Sequence, residues 1–191
     1  MKKGLILLII SDILILSSFG LVAPIFAIFI NEDLIGGSLL AAGLATTIFL
    51  ATRSVFQLPL ARYIDKQKHK TRLLIAGTFL IISVPFLYIF AEHIRMIYIA
   101  QAIYGLGAAL AYPSWFSLFV INLDKRHKGF EYSLWSTGVG IGTALTAYLG
   151  ASVAESFGFN YLFLLVGFFA FLGFLLLFFL ERHHKRKGLI Q

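Results

Sequence analysis

Polar and charged residues gather at intervals along this chain and leave apolar runs of about twenty residues between them. That is the length a helix needs to cross a hydrocarbon core of roughly 30 Å. Six spans are drawn, at residues 4–30 (span 1), 38–62 (span 2), 71–91 (span 3), 95–121 (span 4), 131–154 (span 5) and 159–180 (span 6), with a basic tail at 181–191. None sustains the alternation that a membrane strand requires, so the expected class is an all-α membrane protein forming a single six-helix bundle. Composition agrees: 59% of the 191 residues are hydrophobic and 13% charged, with 20 Phe. So few polar side chains could not cover that much apolar surface in a water-soluble domain.

The placement of charge gives a direction. With the N-terminus, the second and fourth loops and the tail on one side, that side holds fourteen of the sixteen Lys and Arg, whereas the other holds Arg95 beside Glu32, Asp33, Glu92 and Glu155. The positive-inside rule then puts both termini in the cytoplasm, with the protein integral to a cell or inner membrane. The net charge of +7 is read as orientation rather than as a nucleic-acid surface. A signal peptide at "MKKGLILLII" is disfavoured, because the apolar run is too long and Asp12 interrupts it. No cysteine is present, which excludes disulfides and thiol chemistry. All five His fall in loops or the tail and no H-E-x-x-H spacing occurs, so neither an intramembrane protease nor a zinc enzyme is expected. No enzyme activity, metal or cofactor is read from the chain.

Arg53 in span 2 and Asp12 in span 1 are the two clear intramembrane charges, and such charges are functional candidates. Each lies roughly 12–15 Å from the cytoplasmic end of its span, counted at about 1.5 Å per residue. An ion pair between them is feasible, either as a tie between spans 1 and 2 or as part of coupling or substrate binding. Arg53 snorkelling to the interface is the other alternative. Span 4 sets Gln101, Tyr104, Gly105, Ala108, Tyr112 and Trp115 on one face, suited to a partly wet cavity, with an interfacial aromatic belt as the rival for Trp115. Span 2 adds a narrower stripe of Thr46, Arg53 and Gln57. Span 5 carries Gly138, Gly142, Thr146, Gly150 and Ala154 at a spacing of four, and span 2 repeats the device with Gly43, Thr47 and Ala51. Small ridges let helix backbones approach closely in lipid, so spans 2 and 5 should pack tightly, within the chain or against another copy. Spans 3 and 6 are almost free of polar atoms and are expected to face lipid.

The cytoplasmic stretch Ala61-Arg-Tyr-Ile-Asp65-Lys66-Gln-Lys68-His-Lys70 resembles the G-x-x-x-D-R/K-x-G-R/K-R/K motif of the major facilitator superfamily. Asp65, Lys66 and Lys70 match, whereas Ala61, Lys68 and His69 depart from it. "AQAIYGLGAALAYPSW" is similar to the family's fourth-helix segment R-x-x-Q-G-x-G-A-A, with Gln101 in place of the Arg and Tyr104 of the Gln. "GTALTAYLGASVAESFGFNYLF" resembles the passage through helices 5 and 6, with Thr146-Ala147 where many antiporters carry Gly-Pro.

The resemblance implies a half bundle of two inverted three-helix repeats, since members typically join two six-helix halves around a central substrate site. It implies a secondary transporter of a small solute working by alternating access, proton-coupled, as a homodimer through spans 2 and 5. An isolated half or fragment, or a non-transporting scaffold, is the alternative. On this reading Asp12 is the coupling acid and Arg53 modulates its proton or binds an anionic substrate. Gln57, Gln101, Tyr104, Tyr112 and Trp115 would line the substrate cavity. Asp65, with Lys66 and Lys70, would gate by meeting the start of span 5, around Glu131, in a second copy, where the helix dipole favours an acid.

Overall fold

The computed structural model describes residues 2–186, the side chains of 184–186 excepted. Within them lie seven helices and no strand: α1 (Lys3–Gly20), α2 (Phe26–Asp33), α3 (Leu39–Asp65), α4 (Lys70–Ile89), α5 (Ile94–Asn122), α6 (Lys128–Phe157) and α7 (Phe159–Arg186). All but α2 are long and apolar enough to cross a membrane. The expected tail begins inside α7, and its end, with Lys187, lies outside the described residues.

Span 1 is not one helix. The chain leaves α-geometry over residues 21–25 and resumes in α2. Pro24 is the cause: it has no N–H to offer the Gly20 carbonyl, and its ring crowds the preceding turn. Beyond α2 the chain reverses through Gly36, whose φ of 77° suits glycine. Ile35 then ties this turn to the next loop at the same end: its N–H donates to Glu92 O at 2.9 Å, and its own carbonyl accepts from Ile94 N–H at 3.2 Å. Ser38 caps α3 by accepting from Ala41 N–H at 3.0 Å.

The bundle is organised around α5, which packs on α3 on one side and α4 on the other. Its glycines permit this. A Cβ at Gly105 would lie 2.8 Å from the Phe49 carbonyl oxygen of α3, and one at Gly107 would lie 2.9 Å from that of Gly77 in α4. Ala108 and Ala109 are fully buried beside them. From α4 the packing passes to α7, then to α1, and from α1 to α6. The spatial order is therefore α3–α5–α4–α7–α1–α6, which separates α1 from α3 although spans 1 and 2 follow each other in sequence.

One open expectation is narrowed and another changes. The span 5 ridge finds its partner inside the chain: a Cβ at Gly138 would meet Ile13 Cδ1 at 2.5 Å, Gly142 faces Ser17, and Gly150 faces the Leu21 backbone, all on α1 and the turn after it. Spans 3 and 6 do not simply face lipid. Leu74, Ile81, Val84 and Tyr88 of α4 and Leu162, Phe163, Val166 and Ala170 of α7 are core, while Phe79, Phe86, Phe168 and Phe171 point outward. By contrast α3 and α6 are nearly uncovered: 17% and 6% of their most apolar stretches are buried, against 44–50% in the other four.

The ridge gives a paired prediction. Gly150→Val should cost about 1–3 kcal/mol by overpacking against α1, and Gly140→Val, where a Cβ meets nothing of its own unit within 4 Å, should cost clearly less. Thermal unfolding in mild detergent reads both; equal midpoints would contradict the α1–α6 contact.

Candidate functional site

The intramembrane acid and base do not meet. Asp12 accepts a hydrogen bond from Trp135 Nε1–H of α6 at 2.7 Å. Arg53 instead donates from Nε to Gln57 Oε1 at 3.0 Å and lays its guanidinium over the Tyr112 ring, 4.3 Å from the centroid. The helix order explains this, because α1 lies against α6 and α7 while α3 lies against α5. Gly105 sets the base in place from below, since a Cβ there would sit 3.1 Å from the Arg53 backbone nitrogen. Tyr112 is the shared neighbour. Its ring carries Arg53, and it lines the same small cavity as Asp12. Cation–π contact at a half-buried position contributes about 1 kcal/mol, and it holds Arg53 with no carboxylate paired to it among the described residues.

That cavity of about 20 Å³, room for a single water, is bounded by Asp12, Tyr104, Tyr112 and Trp115. Trp115 is buried, stacks on Phe119 with centroids 4.8 Å apart and packs on Trp135 at 4.7 Å. It faces the bundle and not an interfacial belt; its Nε1 lacks a hydrogen-bond partner. Tyr104 stacks on Phe19 at 5.1 Å and packs on Phe49 at 4.5 Å. With Phe19 it lines both the small cavity and a second one towards α2, where Gln101 lies buried. The polar face of span 4 thus turns into the six-helix unit. Gln57 and Arg53, half-buried on α3, are the members of the set nearest its open face.

Trp135 was not among the residues singled out from the sequence. A signal existed: it lies seven residues before Gly142, on the face of the small-residue ridge that packs against α1.

Asp65, Lys70 and Glu131 find partners within the unit. Lys70 Nζ donates to the Asp65 carbonyl oxygen at 3.3 Å and stands 3.9 Å from its Oδ1, with the Asp65 side chain 76% exposed. Lys66 is exposed beside it. Glu131 is 2% exposed and accepts from Asp124 N–H at 2.8 Å, so its carboxylate closes the α5–α6 loop. Its position in the first turn of α6 matches the helix dipole. Asp124 in turn accepts from Arg126 N–H at 2.9 Å, and that bond, with His127 beside it, holds its carboxyl below the usual range. A second copy approaching the start of α6 would therefore meet Lys128, Gly129 and Phe130, which are exposed, and not the Glu131 side chain.

Trp135 and Trp115 are the two tryptophans of the chain, which makes the Asp12 contact directly observable. In Asp12→Leu the indole N–H resonance of Trp135 should move upfield, and by more than that of Trp115. An unmoved Trp135 resonance would refute the hydrogen bond.

Comparison with known proteins bears on this geometry. The family model of the Major Facilitator Superfamily matches residues 8–191. The multi-drug resistance efflux pump PmrA of two Streptococcus pneumoniae strains is 30% identical over 158 residues, covering 82% of this chain and 39% of the pump. The chain thus spans about two fifths of the length of the curated relatives it matches. The in meso crystal structure of the POT family transporter PepTSo superposes with a TM-score of 0.81 at 14% identity, over 94% of this chain and 37% of that one. At that identity the likeness concerns the fold.

Proposed function

The chain belongs to the Major Facilitator Superfamily, a family of membrane transporters and not of enzymes, and from that premise we propose that it is a six-helix unit of a proton-coupled secondary transporter. The observation that carries this reading is Asp12. A carboxyl in the middle of a membrane helix is expensive to keep, and this one has no basic partner among the described residues, sits against Trp135 and opens on a cavity of one-water size. Such a group can take and release a proton, with the indole N–H held ready for its charged form.

Alternating access needs a second unit, and the uncovered helices supply the reason to expect one. A helix that meets only lipid should be the most apolar of a set, yet α6 is both the least apolar and the least covered of the six spanning helices. The ridge of Gly43, Thr47 and Ala51 on α3 is likewise exposed. We infer that α3 and α6 meet a second copy, the two units enclosing a substrate cavity lined in part by Arg53 and Gln57. The packing also fits two inverted three-helix repeats. Exchanging α1 with α5, α3 with α6 and α4 with α7 turns the α3–α5 and α4–α5 neighbours into α6–α1 and α7–α1, both of which occur. In this assembly both termini face the cytoplasm, and Asp65 gates from the loop that charge holds there. A second reading, one half of a twelve-helix transporter, is favoured by the 39% coverage of the efflux pumps; a covalent second half would then take the place of the second copy. A solute like those of the multi-drug efflux relatives is the expected cargo.

Two experiments test the proposal. Asp12→Asn in proteoliposomes should abolish proton-driven movement of a multidrug dye such as ethidium with the protein still folded; undiminished transport would overturn the coupling role. Single cysteines at Gly43 and Gly140 should each crosslink between copies in nanodiscs, and a strict monomer would remove the homodimer.

A further inference from the structure

The start of α1 and the end of α7 leave a groove between them at one end of the bundle. About 540 Å³ of space is bounded there by Lys3 and Leu7 of α1 and by Phe179, Arg182 and His183 of α7. The two helices pack on each other, and the groove brings the beginning of one beside the end of the other, so these residues stack by depth. Lys3 lies one turn outward from Leu7, and Arg182 and His183 lie one turn outward from Phe179. A basic layer thus sits roughly 5 Å above an apolar one, at about 1.5 Å per residue.

The charge of the upper layer is not cancelled within the unit. Lys2 is committed elsewhere, its Nζ donating to the carbonyl oxygens of Ile121 and Leu123 at 3.4 and 3.5 Å across the end of α5. Lys3 and Arg182 are exposed, and no acidic side chain is among the groove's described lining residues. Glu181, the acid next to Arg182 in sequence, is turned to Arg72 of α4, Oε1 to Nε at 3.1 Å. The lower layer is open as well: the Phe179 ring is 55% exposed on a membrane-spanning helix.

Each layer restricts the occupant. A hydrocarbon chain alone covers Leu7 and Phe179 and leaves the cations unanswered. A free phosphate answers the cations and leaves the apolar layer bare. A zwitterionic phospholipid meets both, but brings an ammonium for which the groove offers no carboxylate. An anionic phospholipid matches both layers in their order of depth, and basic pockets between spanning helices attract such headgroups at the membrane surface.

We propose that this groove holds one anionic phospholipid, its phosphate between Lys3 and Arg182 with the His183 imidazole beside it, and an acyl chain along Leu7 and Phe179. The lipid ties the first and last of the six spanning helices together at their ends. The site lies away from the bare face of α3 and α6 and needs only the six-helix unit, so it is independent of oligomeric state and of transport.

The test is lipid titration of the full chain in dodecyl maltoside, read by native mass spectrometry. Dioleoyl-phosphatidylglycerol should add one saturable molecule per chain, about tenfold more tightly than dioleoyl-phosphatidylcholine. Lys3→Gln combined with Arg182→Gln should weaken phosphatidylglycerol binding about thirtyfold. Lys125→Gln combined with Arg126→Gln removes the same charge from exposed positions in the α5–α6 loop and should leave that binding nearly unchanged. Glycerol phosphate, the headgroup without its chains, should not displace the lipid at equal concentration. The proposal is overturned by the lack of a saturable adduct or by equal affinity for the two lipids, which would mean a merely apolar groove. Equal losses in the two double variants would mean diffuse surface charge, and displacement by glycerol phosphate a free-anion site; either overturns it too. The comparison of the two lipids on the unmodified chain requires no variant to fold.

Discussion

Everything in this bundle rests on how closely helix backbones approach α5. In lipid there is no hydrophobic gain from pairing helices, so association depends on contact area, and contact depends on small residues. Gly105 and Gly107 admit α3 and α4 to opposite sides of one helix, with distances of 2.8–2.9 Å that leave no room for a methyl group. The "GLGAA" run is therefore a structural hinge-pin first. Its functional effect follows from geometry: the α3 backbone resting on Gly105 runs from Phe49 to Arg53, and the Arg53 guanidinium covers Tyr112, two turns further along α5.

Polar atoms inside the unit divide by how they are satisfied. Ser11, Ser18 and Ser114 hydroxyls donate to carbonyls three or four residues back, at 2.9, 2.7 and 2.8 Å. These bonds close within one helix and tell nothing about the neighbours. Asp12 is different, because its partner is on another helix, and Gln101 differs again, because its Oε1 has none. Phe19 and Tyr104 line both the cavity at Asp12 and the one at Gln101.

Hydropathy made the six crossings legible, and the rarity of intramembrane charge made Asp12 and Arg53 legible. Their partners were not, because span order in sequence is not neighbour order in space: α1 sits between α6 and α7, so depth alone suggested a pair that the topology keeps apart. The small-residue ridge of span 5 announced a close contact but could not name α1 as the other side. Apolar spans 3 and 6 hid a division into core and lipid faces, since Leu, Ile and Phe serve in both. The break after Gly20 was marked by Pro24, but the surrounding residues are apolar enough to read as one continuous crossing.

Arg53 shows why the open face matters. It lies on α3, the helix that with α6 is left bare, yet its charge is turned inward onto Tyr112 and its Nε–H onto Gln57. A cation facing lipid from mid-helix would snorkel to the interface; this one is anchored by contacts that leave it at depth. Those contacts are neutral, so they hold the position of the charge without cancelling it. An uncancelled cation beside an uncovered, comparatively polar pair of helices is stable only if that face meets protein, water or an anion. A lipid tail provides none of these.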